Sequence, residues 1–119
     1  MLSKKYRFHS RGGVNYVYKH GKTIRSAGAS LVFCDNTRKF TRFSVVVSKK
    51  VAKTAVSRNR IRRRVYEVLR ENLEYIPKER DYIFVIYDKK IGEMPHNKVV
   101  ELLGALVAES KVCYNSHNG

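Results

Sequence analysis

The sequence predicts a single mixed α+β domain. With 119 residues, the chain is long enough to bury one core without disulfides or a structural metal. Hydrophobic residues make up 43% of it, which excludes a disordered basic tail. Segments with helical periodicity alternate with short apolar runs typical of strands. The predicted order is helix, hairpin, helix, strand, helix.

An extended arm and a short helix are predicted first. Residues 1–9 are basic and aromatic but show no periodicity, which favours an extended arm. Residues 10–20 place apolar side chains at helical spacing, at Val14, Val17 and Tyr18. Ser10 is the candidate N-cap, and Gly21 is the candidate terminator.

A β hairpin is predicted next. Residues 31–34 and 40–48 are rich in Val, Phe and Leu, and the turn residues Asp and Asn occur between them, in residues 35–38. Phe43, Val45 and Val47 share one face of the second strand by alternation. Either face of that strand could line a binding cleft.

The longest periodic segment predicts the main helix, from Ser57 as N-cap to Glu74, with Pro77 ending the pattern. One apolar stripe recurs along it at Ile61, Val65, Val68, Leu69 and Leu73.

A strand at residues 82–87 and a last helix complete the domain. A strand, helix and strand in succession imply a parallel pair with the helix packed across it. Pro95 is predicted to open the last helix, whose apolar face consists of Val99, Val100, Leu103, Leu106 and Val107. Residues 112–119 are polar and are expected to fray.

The charge of the chain indicates a polyanionic partner. Lys and Arg total 25 against 10 Asp and Glu, which gives a formal net charge of +15. Such a surplus repels itself in a compact fold and is best tolerated when a polyanion neutralises it. Nucleic acid is the expected partner class.

Several other classes of protein are disfavoured by the sequence. Cys34 and Cys113 lie far apart without a Cys/His cluster, so a structural zinc site is not expected. The N-terminal residues lack an apolar segment of the secretory type, and no run approaches the roughly 18 apolar residues of a membrane span. We expect a cytoplasmic protein with no membrane association and no obligate protein partner.

A dense arginine cluster opens the main helix. Five arginines occupy residues 58–64, mostly away from the apolar stripe. Cations there oppose the helix dipole, and like charges such as Arg60 and Arg64 repel by roughly 0.2–0.5 kcal/mol. A phosphate partner accounts for this cost, because guanidinium groups donate paired hydrogen bonds to phosphate. The alternative is a solvated face in which Glu67 and Glu71 pair with Arg63, Arg64 or Arg70.

These residues carry a specific resemblance. Ser48-Lys49-Lys50-Val51, followed by Ala55-Val56-Ser57-Arg58-Asn59-Arg60-Ile61-Arg62-Arg63, closely resembles the signature of the bacterial ribonuclease P protein component. The order of predicted elements around the signature matches as well, and the resemblance covers roughly residues 5 to 110. It implies a ribosomal-protein-type α/β sandwich with the order α-β-β-(β)-α-β-α. It also implies a left-handed strand-helix-strand crossover, an exception to the usual right-handed rule.

The resemblance implies two RNA-binding surfaces. Contacts to the catalytic RNA are expected from Lys49, Lys50, Lys53, Arg58, Asn59, Arg60, Arg62 and Arg63. A cleft for the single-stranded 5′ leader of precursor tRNA is expected to involve Arg7, Phe8, Val14, Tyr18 and Phe43. Ordinary core packing is the alternative for Val14 and Tyr18. Where relatives commonly have Phe, this chain has Val14, and Tyr16 could compensate if its ring faces the cleft.

The same resemblance assigns cleavage to the RNA subunit with bound Mg²⁺, so no catalytic residue and no protein metal site are expected. The residues themselves agree, since neither paired carboxylates nor a Ser/His/Asp order is evident in the sequence. Three rival interpretations stay open: a ribosomal or other structural RNA-binding protein, a metal-dependent nuclease acting alone, and a DNA-binding regulator. The last lacks helix-turn-helix spacing or a dimer seam.

Overall fold

A computed structural model describes residues 7, 11–26, 28–36 and 41–118, except for the side chains of residues 11, 12 and 112–118. The described chain forms α1 (Arg11–His20), β1 (Lys22–Ser26), β2 (Ala29–Asp35), β3 (Arg42–Val47), α2 (Ala55–Glu71), β4 (Arg80–Ile86) and α3 (His96–Asn118). Two 3₁₀ segments, Leu73–Tyr75 and Lys89–Gly92, flank β4. The α+β class is confirmed, with the optional strand present as β1.

The four strands form one sheet in the order β1-β2-β4-β3. β4 is antiparallel to β2 and parallel to β3, so the predicted parallel pair joined by a helix is confirmed. The hairpin predicted from β2 and β3 is wrong, because β4 lies between these strands and β2 instead forms a hairpin with β1. The hand of the crossover stays an expectation from the resemblance.

The sheet has two differently covered faces. On one face, side chains of all four strands pack against α2 and α3 in the main core, which includes Phe43, Tyr82 and Phe84. On the other, Val32 and Ile83 pack against Val17 of α1. Since side chains alternate along a strand, each strand contributes one set of residues to each face. The α1 face is the one next to which a cleft can form.

The N-cap of α2 lies three residues earlier than predicted. This cap is Thr54, whose Oγ1 accepts a hydrogen bond of 3.1 Å from the backbone N–H of Ser57, so Ser57 is not the cap. The helix ends at Glu71 rather than Glu74, since Asn72 follows as the C-cap and its Nδ2 donates to the carbonyl of Val68 at 2.9 Å. The predicted stripe is buried from Ile61 to Leu69, while Leu73 packs half-buried on the core.

The C-terminal end of α1 and the N-terminal end of α3 follow the sequence prediction. The N–H of Gly21 donates to the carbonyl of Val17 at 2.7 Å and ends α1. A Cβ at Gly21 would lie 2.5 Å from the carbonyl oxygen of Phe33, so only glycine fits. The carbonyl of Pro95 accepts the first hydrogen bonds of α3, as predicted. Fraying was expected from residue 112. The structure instead shows a helical backbone for α3 up to Asn118.

In the described ranges, no helix is both long and apolar enough to cross a membrane.

Candidate nucleic-acid interface

The five arginines at residues 58–64 of α2 divide into two groups by their contacts. Three of them have partners within the chain. Arg58 donates through Nη1 to the carbonyls of Ala52 and Lys53, at 3.0 and 3.1 Å. Arg62 donates to the side-chain oxygen of Asn59. Arg64 donates through Nη1 to the carbonyl of Gly92 at 3.0 Å.

Arg60 and Arg63 form the second group. Both are exposed on α2, and neither makes a hydrogen bond or ion pair within the part of the chain that the structure describes. Of the pairs along the helix that the alternative interpretation names, the described residues form one, between Glu67 and Arg70. Glu67 pairs with Arg70, whose hydrogen bond lowers the pKa of the glutamate, and Glu71 accepts from Nε2 of His96 at 2.9 Å. Arg60 and Arg63 therefore present their charge to solvent.

The predicted lysines continue this cationic surface. Lys49, Lys50 and Lys53 are exposed in the connection between β3 and α2. A turn shapes this connection, because the N–H groups of Val51 and Ala52 donate to the carbonyl of Ser48 at 3.1 and 3.2 Å. The lysines thus lie directly before the N-terminal turn of α2, where backbone amides also favour an anion. Together with Arg60 and Arg63 they form what we call the basic surface.

Helix α1 packs on the sheet through a narrow apolar contact. Val17 is fully buried against Val32 and Ile83, and Val14 packs half-buried beside them. Core packing therefore accounts for Val14. Val46 and Val85 extend the apolar strip along the same face of the sheet.

Tyr18 leaves this contact and reaches the surface. Its side chain is 46% exposed, so core packing does not account for the whole residue. Partial burial and, to a smaller extent, the nearby Tyr87 phenol raise the pKa of Tyr18. Tyr87, directly after β4, is 56% exposed and was not predicted as a site residue. The sequence held a signal for this position, because the alternation of side chains along the strand places Tyr87 on the same face as Ile83 and Val85.

Tyr16 does not line the apolar strip. It is exposed on α1, with its ring 4.4 Å from the ring of His20 one helical turn later. Tyr18 and Tyr87 are the exposed tyrosines that we assign to the α1 face of the sheet, and we call them the aromatic pair.

Two predicted cleft residues lie elsewhere. Phe43 is fully buried on the opposite face, stacked on Tyr82 with ring centres 5.6 Å apart, so its assignment to the cleft is wrong. The side of β3 that carries Phe43 packs under α2. Arg7 forms a parallel bridge with Phe43, and its guanidinium lies 5.8 Å from the ring centre of Tyr66 in α2, not beside α1. Phe8 lies outside the described residues.

The described part of the chain contains no group of three or more His, Cys, Asp or Glu side chains that could hold a metal ion. Burial, Asp81 and Asp35 all raise the pKa of the Cys34 thiol, which favours its neutral form over a reactive thiolate.

The chain is similar to known proteins in both sequence and fold. The family model described as Ribonuclease P matches residues 2–111. The ribonuclease P protein component of Finegoldia magna is 37% identical over 84 residues, covering 71% of this chain and 73% of that protein. The Syntrophus aciditrophicus component is 31% identical over 108 residues, covering 91% and 89%. The structure of the Thermotoga maritima ribonuclease P protein matches with a TM-score of 0.77 at 27% identity, covering 85% and 94%.

Proposed function

Because this chain belongs to the ribonuclease P protein family, we propose that it binds the ribonuclease P RNA and the 5′ leader of precursor tRNA. Family members are subunits of a ribonucleoprotein endonuclease whose RNA carries the catalysis. The protein contributes affinity and positioning, and the RNA supplies the reacting groups. One observation carries the proposal: the signature helix turns Arg60 and Arg63 to solvent without intramolecular partners in the described residues.

The basic surface is the proposed contact with the RNA subunit. When exposed guanidinium and ammonium groups neutralise phosphates, the counterions bound to the RNA are released. This release makes binding strong and dependent on salt. Arg58 and Arg62 already bond to groups of their own chain, so their main role in this proposal is to hold the start of α2 in place. Arg60, Arg63, Lys49, Lys50 and Lys53 then supply the direct contacts.

The aromatic pair of Tyr18 and Tyr87 is the proposed platform for the leader. Unpaired bases stack on aromatic rings at about 1–3 kcal/mol per base, and stacking accepts any base. A leader that differs from one precursor to another suits such a platform. Val14, Val46 and Val85 give the platform an apolar floor.

Magnesium enters the proposal through the RNA. The Mg²⁺ ions required for cleavage are bound by the RNA subunit and the substrate, and the protein lowers the magnesium concentration at which the complex works. Neutralised phosphates need fewer divalent ions to come together, which is the physical reason for this expectation.

A reconstitution assay tests the function. Cleavage of a precursor tRNA by a ribonuclease P RNA is measured at low magnesium, with and without this protein. We expect cleavage only when both are present, and stronger substrate binding when the precursor carries its leader. The protein-only reaction with magnesium is the control for a nuclease acting alone. Equal binding of precursor and mature tRNA would instead favour a structural RNA-binding protein without a leader cleft.

A further inference from the structure

A groove of about 660 Å³ opens between the start of α2 and the segment that follows β4. One wall carries Lys50, Lys53 and Arg60, which belong to the basic surface. The opposite wall carries Lys89 and Lys90, two residues outside the signature. All five side chains are exposed, so their charged ends can reach a ligand in the groove.

The backbone of the opposite wall is held in place. Asp88 accepts the N–H of Lys90 at 2.9 Å and starts the 3₁₀ segment Lys89–Gly92. The next residue, Ile91, is fully buried in the core. Arg64 donates to the carbonyl of Gly92, and a Cβ at Gly92 would lie only 3.1 Å from the side chain of Ile61. Lys89 and Lys90 therefore stand at a fixed position relative to α2.

The charge of the groove is strongly one-sided. Five cations line it together with a single carboxylate, Glu93. None of the five makes an ion pair within the residues that the structure describes. Like charges that face each other across a groove repel, and this repulsion is relieved when a polyanion lies between them.

The residues that line the groove favour a chain of phosphates over a ligand recognised through its base. The described residues of the groove include no aromatic side chain on which a base or nucleobase ligand could stack. Phosphate contacts position a nucleic acid without reading its sequence, and lysines supply such contacts as point charges. A chain of phosphates fits this lining better than a nucleotide that needs its base recognised.

We propose that one ribose-phosphate strand of the RNA subunit passes through this groove, with phosphates between Lys89 and Lys90 on one side and Lys53 and Arg60 on the other. This inference rests on the proposed function and extends it, because it adds the segment after β4 to the RNA-binding surface. The RNA subunit is chosen over the substrate because Arg60 belongs both to the groove and to the signature helix.

A salt series on a double variant tests the groove. Binding of the ribonuclease P RNA, without substrate, is measured for the wild type and for Lys89→Gln with Lys90→Gln. Each lost phosphate contact should reduce the slope of log K against log salt by about 0.7–0.9. We therefore expect the slope to fall by about 1.5 in the double variant, with an unchanged thermal transition.

A matched variant separates local contacts from net charge. Lys78→Gln with Lys111→Gln removes the same two charges from exposed positions; Lys78 precedes the opposite end of β4, and Lys111 lies on α3. Its slope should stay at the wild-type value. Lys89→Arg with Lys90→Arg should restore the wild-type slope, and Glu93→Gln should tighten binding.

Three outcomes would overturn the inference. Parallel salt plots for the groove variant and the wild type would show that no phosphate lies there. An equal loss in the matched variant would show that only net charge matters. A loss confined to precursor tRNA binding by the assembled enzyme would assign the groove to the substrate. Failure of the proposed function looks different, because the wild type itself would then not bind the RNA subunit, and both proposals would fall.

Discussion

Arg64 of α2 donates a hydrogen bond of 3.0 Å to the carbonyl of Gly92, at the end of the segment that follows β4. The arginine is half-buried, and Gly92 is buried against Ile61. One arginine in a basic cluster therefore serves the fold, while its neighbour Arg63 stays exposed. Residue type alone does not distinguish an arginine that stabilises the fold from one that is free to bind RNA. Their positions on α2 do, because only the arginine that faces the segment after β4 can bond to it.

Substitution of Arg64 should affect stability more than that of Arg63. Arg64→Gln removes a charged donor from a buried carbonyl, and such bonds contribute about 1.5–3 kcal/mol. Arg63→Gln changes an exposed side chain and should stay within about 0.5 kcal/mol of the wild type. Urea denaturation measures both free energies of unfolding. Binding of the RNA subunit should show the reverse order of effects: the slope of log K against log salt should fall more for Arg63→Gln than for Arg64→Gln. Equal effects in both assays would contradict the division.

Tyr87→Ala should weaken binding of leader-containing precursor by about 1–3 kcal/mol, because one stacked base loses its platform. Assembly with the RNA subunit should stay intact, since Tyr87 lies outside the basic surface. The measurement is the affinity of the reconstituted enzyme for precursors with and without a leader.

Tyr75→Ala provides the matched control for this prediction. Tyr75 is 66% exposed but lies in the 3₁₀ segment after α2, remote from the α1 face of the sheet. It should leave leader affinity unchanged. The platform would be refuted if Tyr87→Ala and Tyr75→Ala behaved alike.

Local patterns predicted the helices, and long-range pairing explains the errors. The apolar stripe of α2 was predicted correctly, because a helix buried on one side shows apolar residues at helical spacing in its own local sequence. β1 gave no comparable signal, since only Ile24 among Lys22–Ser26 is buried. The hairpin between β2 and β3 was wrong because β4, which is distant in sequence, inserts between them.

The candidate site shows the same limit. Alternation groups Phe43 with Val45 and Val47, but it cannot tell which helix covers that side of the sheet. The structure places this group under α2. Tyr87 was missed for a different reason: the predicted strand at residues 82–87 included it, whereas β4 ends at Ile86 and the side chain of Tyr87 is exposed.

Asp81→Asn should destabilise the fold by about 3–5 kcal/mol, because it leaves a buried guanidinium without its carboxylate. Arg42 bonds to both oxygens of Asp81, at 2.8 and 2.7 Å, and the two side chains are only 16% and 7% exposed. Asp35→Asn is the control, since its pair with Arg80 is longer, at 3.5 Å, and Asp35 is 52% exposed. That variant should lose at most about 1 kcal/mol. Chemical denaturation should separate the two variants clearly.

Alkaline pH should destabilise the fold through Tyr82. Burial raises the pKa of this phenol from 10.0 to about 12, and the neutral hydroxyl donates to the carbonyl of Pro77 at 3.1 Å. Since the folded pKa lies above the unfolded one, the contribution is fully present below pH 10. It is lost as pH rises towards 12, and the shift corresponds to roughly 3 kcal/mol.

Tyr82→Phe isolates this contribution from the other tyrosines. The variant should lose about 1 kcal/mol at neutral pH, since one hydrogen bond is gone. Its free energy of unfolding should then fall less steeply than that of the wild type between pH 10 and pH 12, so the two curves converge or cross. Parallel curves across this range would mean that Tyr82 ionises equally readily in the folded and unfolded chain, which its complete burial between Phe43 and Phe84 makes physically unfavourable.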